Sequence, residues 1–357
     1  MFHWDLTYSL YSISFEASQN TKGAIKRAKA ILAENRDSLV LWNAYARLER
    51  QRGKTADGRK VYHTALSLSS AEVRRQSALG GGDVWTLFRG WAELEQSEGR
   101  PAHAVAIVAV AASGDFDRLG PSDRSLLFRG AEGRQAHLRC ALADSLIQPT
   151  APYFSPLQAL QTRQVFSEMI ARTLDTASPT SIRRNSTNLI YLAALFEYLV
   201  TGLKAACDVY DRHLDASSGI PAAGKEELHL QYADLLFRHV TAPRSTFQPG
   251  QVRAVLERGI VAFPSNTALL SYFAATESRM RYQNRVRKVL DDVVLGSATG
   301  AKGPNGFLFA IWAELRAVKG RHNEWAVRNL FERAFDRPES VPRLPPCSLL
   351  ARGRVAD

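Results

Sequence analysis

Residues 39–49, LVLWNAYARLE, followed by Gly53 and by residues 59–66, RKVYHTAL, decide the fold of this chain. The large and small apolar side chains of the first segment recur at the spacing of one helix face. Ser38 is the expected N-cap of that helix, and Gly53 is the expected left-handed residue after its end. A second helix is predicted to begin near Thr55. Two helices joined by so short a turn pack antiparallel.

Three side chains of the first helix carry the argument about its role. Trp42 and Tyr45 are predicted to pack in the core, with ligand stacking as the alternative. Glu49 lies on the same apolar face, and a buried carboxylate must be paired. Arg59 or a tyrosine hydroxyl is the natural partner. We therefore interpret Glu49 as a structural hydrogen-bonding group and not as a catalytic acid.

The same pattern returns along the chain at intervals near 40 to 46 residues, which are typical of solenoids built from helix pairs. A pair without the glutamate is predicted for residues 232–236 and 252–263, and a poorly marked unit for residues 126–147 and 159–174. The sequence thus predicts an all-α, right-handed superhelical solenoid of antiparallel helix pairs, in which neighbours bury each other's apolar faces. The signature residues, all structural in this interpretation, are Trp42, Tyr45, Glu49, Gly53, Arg59, Trp91, Glu95, Glu197, Glu277, Trp312, Glu314 and Arg328.

These residues resemble the signature of half-a-TPR (HAT) repeats, which occur in eukaryotic RNA-processing scaffolds. Residues 24–68 resemble one HAT family more closely, the nuclear-RNAi-defective family, also called "necessary for RNA interference". The rest of the chain agrees with that family in layout only. HAT scaffolds of splicing, 3'-end cleavage or ribosome biogenesis therefore stay open as alternatives.

The resemblance implies a nuclear protein of RNA surveillance and RNA-mediated silencing. Its implied partners are an exosome-associated RNA helicase and splicing factors. In that family the helicase-binding segment precedes the repeats, so the helicase contact is assigned to no residue of this chain. We expect the sequence to be the C-terminal part of such a protein, or the translation of a shortened gene model.

Composition sets the remaining expectations. We expect a solenoid over residues 1–337, with a softer junction at residues 148–156, and a proline-rich, disordered tail at residues 338–357. No apolar run approaches the roughly 20 residues needed to cross a membrane. The three cysteines, Cys140, Cys207 and Cys347, show no metal-ligand spacing, and we predict neither a metal nor a cofactor.

The net charge of +11 is uneven, because residues 279–357 carry +7 and residues 1–278 carry +4. A basic patch that binds RNA weakly and without sequence preference, or an acidic partner, is predicted at Arg281, Arg285, Lys288, Arg316, Lys319 and Arg321. The alternative is a solvated helix face, in which Arg287 pairs with Asp291 one helical turn later. On that helix Val286, Val289, Leu290 and Val293 are predicted to face the core.

Enzymatic function is not predicted. Gly53-Lys54-Thr55 lacks the earlier glycine of a nucleotide-binding loop and follows a helix instead of a strand. The eight histidines form no cluster in the sequence. Two hypotheses remain: a non-enzymatic scaffold for protein partners, and an α-solenoid that binds RNA directly through its basic C-terminal units.

Overall fold

The computed structural model describes residues 3–68, 83–113, 156–176, 179–215, 218–241, 249–280, 282–296, 305–316 and 324–336. These residues form fifteen α-helices and no β-strand, which confirms the all-α prediction. The right-handed superhelix remains a prediction. Residues 148–155, 338–357 and 126–147, to which the sequence assigned a junction, a tail and part of a repeat, lie outside the described residues.

The chain divides into two compact units, residues 1–228 and 229–357. The helices of the first unit are α1 (His3–Gln19), α2 (Thr21–Glu34), α3 (Leu39–Gln51), α4 (Thr55–Leu68), α5 (Asp83–Ser97), α6 (Pro101–Ser113), α7 (Pro156–Thr176), α8 (Pro179–Val200), α9 (Leu203–Leu214) and α10 (Ala222–Thr241). Consecutive helices from α1 to α9 pack against each other, and α10 runs across the division.

The second unit continues from α10 with five shorter helices. They are α11 (Pro249–Ala262), α12 (Thr267–Arg279), α13 (Gln283–Val289), α14 (Asn305–Arg316) and α15 (Glu324–Phe335). α12 packs against α11, α13 and α14, and α14 packs against α15. The pair that the sequence predicted without a glutamate corresponds to α10 and α11. No described helix combines the length and the apolar character that a membrane crossing requires.

Five helices, which we call the A-helices (α3, α5, α8, α12 and α14), share one buried stripe. The stripe consists of the residues at eight, seven, four and three positions before the glutamate. This spacing matches the helical period. Nearly all of them are buried or partly buried apolar groups, and alanine is frequent three positions before the glutamate, where the helices approach closely. The buried members are Leu41, Ala46, Leu87, Phe88, Trp91, Ala92, Leu189, Ile190, Ala194, Leu269, Leu270, Phe273, Ala274, Phe307, Ala310 and Ile311.

Helix ends follow the capping signals in part. Gly53 and Gly99, each four residues after an A-helix glutamate, have φ of 81° and 69°. The N–H of Lys54 closes the end of α3 by donating to the carbonyl of Glu49 (2.9 Å), and Arg100 does the same to Glu95. Ser38 stands at the N-cap of α3, but the expectation of a hydroxyl cap is wrong, since its side chain makes no capping bond.

The end of α13 departs from the sequence prediction. A π-helical turn, Leu290–Val294, follows the helix. Such a turn holds an extra residue, so side chains after it are rotated relative to an α-helix. Val286 and Leu290 are buried as predicted, but Val294 takes the core position predicted for Val293, which is half-buried, as is Val289.

Candidate functional site

Four A-helix glutamates are buried and paired with an arginine of the helix that precedes them in sequence. We call these preceding helices the B-helices (α4, α7, α11 and α13), and the series of pairs the arginine–glutamate ladder. Each arginine reaches across to the next A-helix, so each pair joins two successive helices. The pairs are Arg59–Glu95, Arg163–Glu197, Arg253–Glu277 and Arg287–Glu314.

Three of the four pairs are bidentate. In the pair with Arg253, Nε donates to Oε1 of Glu277 at 2.5 Å and Nη2 donates to Oε2 at 3.0 Å. Arg163 makes the same two bonds to Glu197, and its Nη2 also donates to the hydroxyl of Thr201. Such fork-to-fork geometry is strong and directional. It therefore fixes the angle as well as the distance between neighbouring helices.

The fourth pair lies deepest in the first unit. Nε of Arg59 donates to Oε1 of Glu95 at 2.6 Å, and the same oxygen accepts from the indole N–H of Trp91 at 3.2 Å. The Trp91 ring stacks on Tyr62. The Tyr62 hydroxyl in turn donates to Oδ1 of Asn43 on α3. These bonds connect α3, α4 and α5 through side chains that are all buried.

The carboxylates stabilise the charge of their arginines. The hydrogen bond to Glu197 raises the pKa of Arg163 above its usual value, and the bonds to Glu277 and Glu314 raise the pKa of Arg253 and Arg287 in the same way. These groups are therefore permanently charged and are unsuited to proton transfer near neutral pH.

Glu49 is the exception among the A-helix glutamates. It is buried, but Ile25 stands where the preceding helix would carry the arginine. The Tyr45 hydroxyl donates to it, and burial together with Glu49 raises the pKa of Tyr45 to about 12. Oε2 of Glu49 has no hydrogen-bond partner among the described residues. Of the two partners considered for Glu49, the structure selects the tyrosine, because Arg59 faces Glu95.

The B-helix arginines begin a second pattern, which the sequence analysis recognised at Arg59 but missed at Arg163, Arg253 and Arg287. An apolar residue follows each arginine after three and after seven positions, on the same helix face. All eight of these apolar residues are buried. The sequence signal of this pattern is the arginine with its two apolar residues, and it appears when the helices are compared by their arginines instead of their glutamates. The four sets are Arg59-Tyr62-Leu66, Arg163-Phe166-Ile170, Arg253-Leu256-Ile260 and Arg287-Leu290-Val294.

Arg89 is a further charged residue that sequence analysis missed. Its guanidinium donates to Glu93 on its own helix, α5, and to Asn188 on α8, and it lies 4.4 Å from the centre of the Tyr191 ring. Burial opposes its charge, but Glu93 and Tyr191 outweigh that effect and raise the pKa of Arg89. Arg89 therefore binds α8 directly to α5.

Two expectations for the second unit are wrong. Trp312 is a predicted signature residue, but Phe307 and Ala310 occupy the buried positions seven and four residues before Glu314. Arg287 was paired with Asp291 in the alternative interpretation, whereas it binds Glu314, and Asp291 binds Arg333. Trp42 itself is half-buried, and its indole N–H donates to the carbonyl of Arg36.

Trp312 instead borders a groove of about 270 Å³ between α12 and α14. Its side chain is 42% exposed, and the guanidinium of Arg316 lies 5.0 Å from its ring centre. The opposite wall is made of small side chains of α12, and the Arg287–Glu314 pair also lines the groove. The α12 residues are Ser271, Ala274, Ala275 and Ser278.

The predicted basic patch is only partly described. Arg281, Lys319 and Arg321 lie outside the described residues. Lys288 and Arg316 are exposed. Arg285 is held by Glu257 on α11 at 2.5 Å. Arg328 is exposed and pairs with Glu332 on its own helix.

The described residues contain no cluster of three or more histidine, cysteine or acidic side chains that would hold a metal ion. Cys207 is half-buried on α9, at the place where α4, α11 and α13 carry their arginine. In α10, the next helix, Leu236 stands where the A-helices carry the glutamate. In α9 and α10, therefore, both the arginine and the glutamate of a ladder pair are replaced by Cys207 and Leu236. The division between the two units falls within α10.

Comparison with known proteins identifies relatives that match most of the chain. No protein-family model matches the sequence. The chain is homologous to the nuclear exosome regulator NRDE2 of Mus musculus, with 26% identity over 319 residues, which is 82% of this chain and 24% of the relative. The Homo sapiens protein of the same name is 25% identical over the same coverage. The chain spans about a quarter of the length of these relatives.

Proposed function

We propose that this chain is a nuclear, non-enzymatic scaffold built of HAT repeats, which binds protein partners in RNA surveillance and RNA-mediated silencing. Its similarity to two nuclear exosome regulators over 82% of its length carries the proposal. The partners that the family resemblance implies are an exosome-associated RNA helicase and splicing factors. The matched region is only a quarter of those relatives, so the chain contributes one part of such an activity.

The chemistry of the described residues supports a scaffold. The buried carboxylates of the ladder are each held by arginine, so they serve the packing of helices and not a reaction. Breaking such buried pairs destabilises a fold strongly. A catalytic acid or base needs a pKa near the working pH, and the carboxylate partners of Arg163, Arg253 and Arg287 shift the pKa of these arginines further from that range.

The groove between α12 and α14 is the surface we assign to a protein partner. Its small side chains allow close approach, and the exposed Trp312 ring offers a large contact area. Tryptophan and arginine are enriched among the residues that dominate binding energy in protein interfaces. Trp312 with Arg316 above its ring supplies both residue types at one edge.

A pulldown from nuclear extract tests the scaffold proposal. Immobilised chain is expected to retain nuclear exosome-associated proteins, and to retain them after the extract is treated with nuclease. Trp312→Ala is expected to reduce that retention at least fivefold. Val261→Ala, which removes another exposed apolar side chain from the same unit, is the matched control and is expected to change nothing.

The outcome separates the two hypotheses. Loss of every partner after nuclease treatment would reject a protein scaffold and favour direct RNA binding. Equal retention by the Trp312 and Val261 variants would remove the groove from the proposal while leaving the scaffold role intact.

Direct RNA binding is the second candidate. The exposed Trp312–Arg316 stack and the exposed Lys288 favour it, because bases stack on such rings and phosphates attract lysine. The ion pair between Arg285 and Glu257 argues against RNA binding at this patch, since the charge of that arginine is already neutralised. If RNA binds, affinity should fall steeply with salt, and Lys288→Glu with Arg316→Glu should abolish it. Unchanged RNA affinity in that double variant would reject this patch.

A further inference from the structure

The last described helix exposes a face that is buried at the four earlier steps of the ladder. α15 repeats the B-helix pattern, with an arginine followed after three and seven positions by an apolar residue: Arg328, Phe331 and Phe335. At the four earlier B-helices the two apolar residues are at most 5% exposed. On α15, Phe331 is 44% exposed and Phe335 is 73% exposed.

Trp325, on the same face one turn earlier, is also exposed. One stripe along the helix is formed by Trp325, Arg328, Glu332 and Phe335, which follow each other at intervals of three, four and three positions. Leu315 of α14 and Phe331 line a second groove, which is separate from the one between α12 and α14. We call this surface the open face, defined by Leu315, Trp325, Arg328, Phe331, Glu332 and Phe335.

The charged pair on the open face differs from the ladder pairs. Nε of Arg328 donates to Oε1 of Glu332 on the same helix at 2.9 Å, and both side chains are exposed. Exposed pairs of this kind stabilise a protein by well under about 1 kcal/mol. Exchanging Glu332 for another carboxylate therefore costs little.

Glu332 also occupies a recurring place, four residues after the arginine. Glu257 stands four residues after Arg253 and binds Arg285 of the next B-helix. Asp291 stands four residues after Arg287 and binds Arg333 of α15. On the open face Arg328 and Glu332 bind each other. Each of them therefore occupies the position at which a residue of a further helix would bind the other.

We propose that the open face binds an amphipathic helix of a partner protein that carries a glutamate on its apolar side, in the manner of the chain's own A-helices. This inference rests on the proposed scaffold function and specifies the chemistry of one partner. The recognised helix has large apolar residues seven and four positions before the glutamate and a small residue three positions before it. Its carboxylate replaces Glu332 as the acceptor for Arg328.

The chain's own interfaces identify this occupant. The four arginines at the place of Arg328 all bind a glutamate that an A-helix buries against them. A helix that covered Phe331 and Phe335 without a carboxylate would leave the guanidinium of Arg328 desolvated and unpaired, which is costly. A basic residue placed opposite Arg328 would be repelled by its guanidinium. Charge and apolar area therefore select the same class of ligand.

A peptide made from α12 tests the proposal, because this helix carries Glu277 in the required pattern. The probe is a fluorescent peptide of residues 265–281 with a hydrocarbon staple across positions 271 and 275, which are both exposed in α12. The staple is needed since an isolated helix of this length is marginal in water. Fluorescence polarisation with the full chain is expected to show saturable binding.

The charge dependence makes the test specific. Arg328→Glu in the chain, or Glu277→Arg in the peptide, should weaken binding at least tenfold, and combining the two should restore most of it. Arg172→Glu is the matched control, because Arg172 also forms an exposed pair with a glutamate of its own helix, Glu168, far from the open face in sequence. That variant should bind the peptide as the unmodified chain does.

Three results would overturn the inference: no binding of the stapled peptide, binding that Arg328→Glu leaves unchanged, or self-association in sedimentation that Arg328→Glu abolishes. The last result would assign the open face to a second copy of the chain. Failure of the peptide, with nuclear partners still retained in the pulldown, would reject only this inference. Loss of those partners would reject the scaffold itself.

Discussion

Glu49 and Glu95 occupy the same place in two neighbouring A-helices, yet they are held in different ways. Glu95 accepts from Arg59 and from the Trp91 indole, and the whole set is buried. Glu49 is equally buried but relies on Tyr45, since the preceding helix offers Ile25 in place of arginine. One helix pattern therefore tolerates two solutions, and what distinguishes them is the neighbouring helix and not the A-helix.

The comparison predicts its largest effect at Arg59. Arg59→Met should lower the free energy of unfolding by about 3 kcal/mol, because it leaves the Glu95 carboxylate buried without its charge partner. Urea unfolding followed by circular dichroism measures the loss. Adding Glu95→Gln to the same chain removes the uncompensated charge and should recover a large part of it. A loss below about 1 kcal/mol in the single variant would show that the pair contributes little.

The next effect is expected at Gly90, where α5 approaches α3 and α4. A Cβ added to Gly90 would lie 2.5 Å from both Oδ1 of Asn43 and the Tyr62 hydroxyl oxygen. Gly90→Ala should therefore lower the free energy of unfolding by about 2 kcal/mol, because it overpacks the interface of α5 with α3 and α4. Gly250→Ala is the control, since its Cβ meets no atom within 4 Å. Equal thermal midpoints for the two variants would mean that α5 is not packed as closely as described.

A smaller effect is expected at Glu49. Glu49→Gln should change the free energy of unfolding by less than about 1 kcal/mol, because no arginine loses its partner and one carboxylate oxygen has none. The same variant should lower the pKa of Tyr45 from about 12 toward 10, since Glu49 helps to raise it. Folding favours the protonated phenol, so this stabilisation is present below pH 10 and is lost as pH rises to about 12. NMR titration that gives the same Tyr45 pKa with and without the Glu49 substitution would contradict the described hydrogen bond.

The smallest effect is expected at Arg328. Arg328→Ala should change stability by less than about 0.5 kcal/mol, because the side chain is exposed and its bond to Glu332 is a surface pair. Thermal unfolding checks this expectation beside Arg59→Met. A destabilisation comparable to that of the Arg59 variant would show that Arg328 is already engaged within the chain, and would remove the basis for an open face.

The sequence located the A-helix glutamates but not their partners. Glu95, Glu197, Glu277 and Glu314 could be found because each follows an apolar stripe of helical period on its own helix. Their arginines lie 36, 34, 24 and 27 residues earlier. No regular interval leads from one to the other, because the loop and helix lengths between them vary.

Trp312 shows a second limit of the sequence. It stands two positions before Glu314, and an aromatic residue so close to a glutamate resembles the repeat signature. On a helix, a separation of two residues places side chains on nearly opposite faces. Phe307 and Ala310, at seven and four residues, have the correct spacing and are buried. The helical period by itself therefore places Trp312 outside the buried stripe.

The sequence by itself determined the all-α class, the helix hairpins and the glutamate that marks each A-helix, because these depend on residues within one or two turns of each other. Only the tertiary structure decided which arginine meets which glutamate, where the π-helical turn shifts the core register, and that Phe331 and Phe335 lie exposed while their counterparts are buried. These features depend on which helix packs against which. Side chains far apart in the sequence make that choice together.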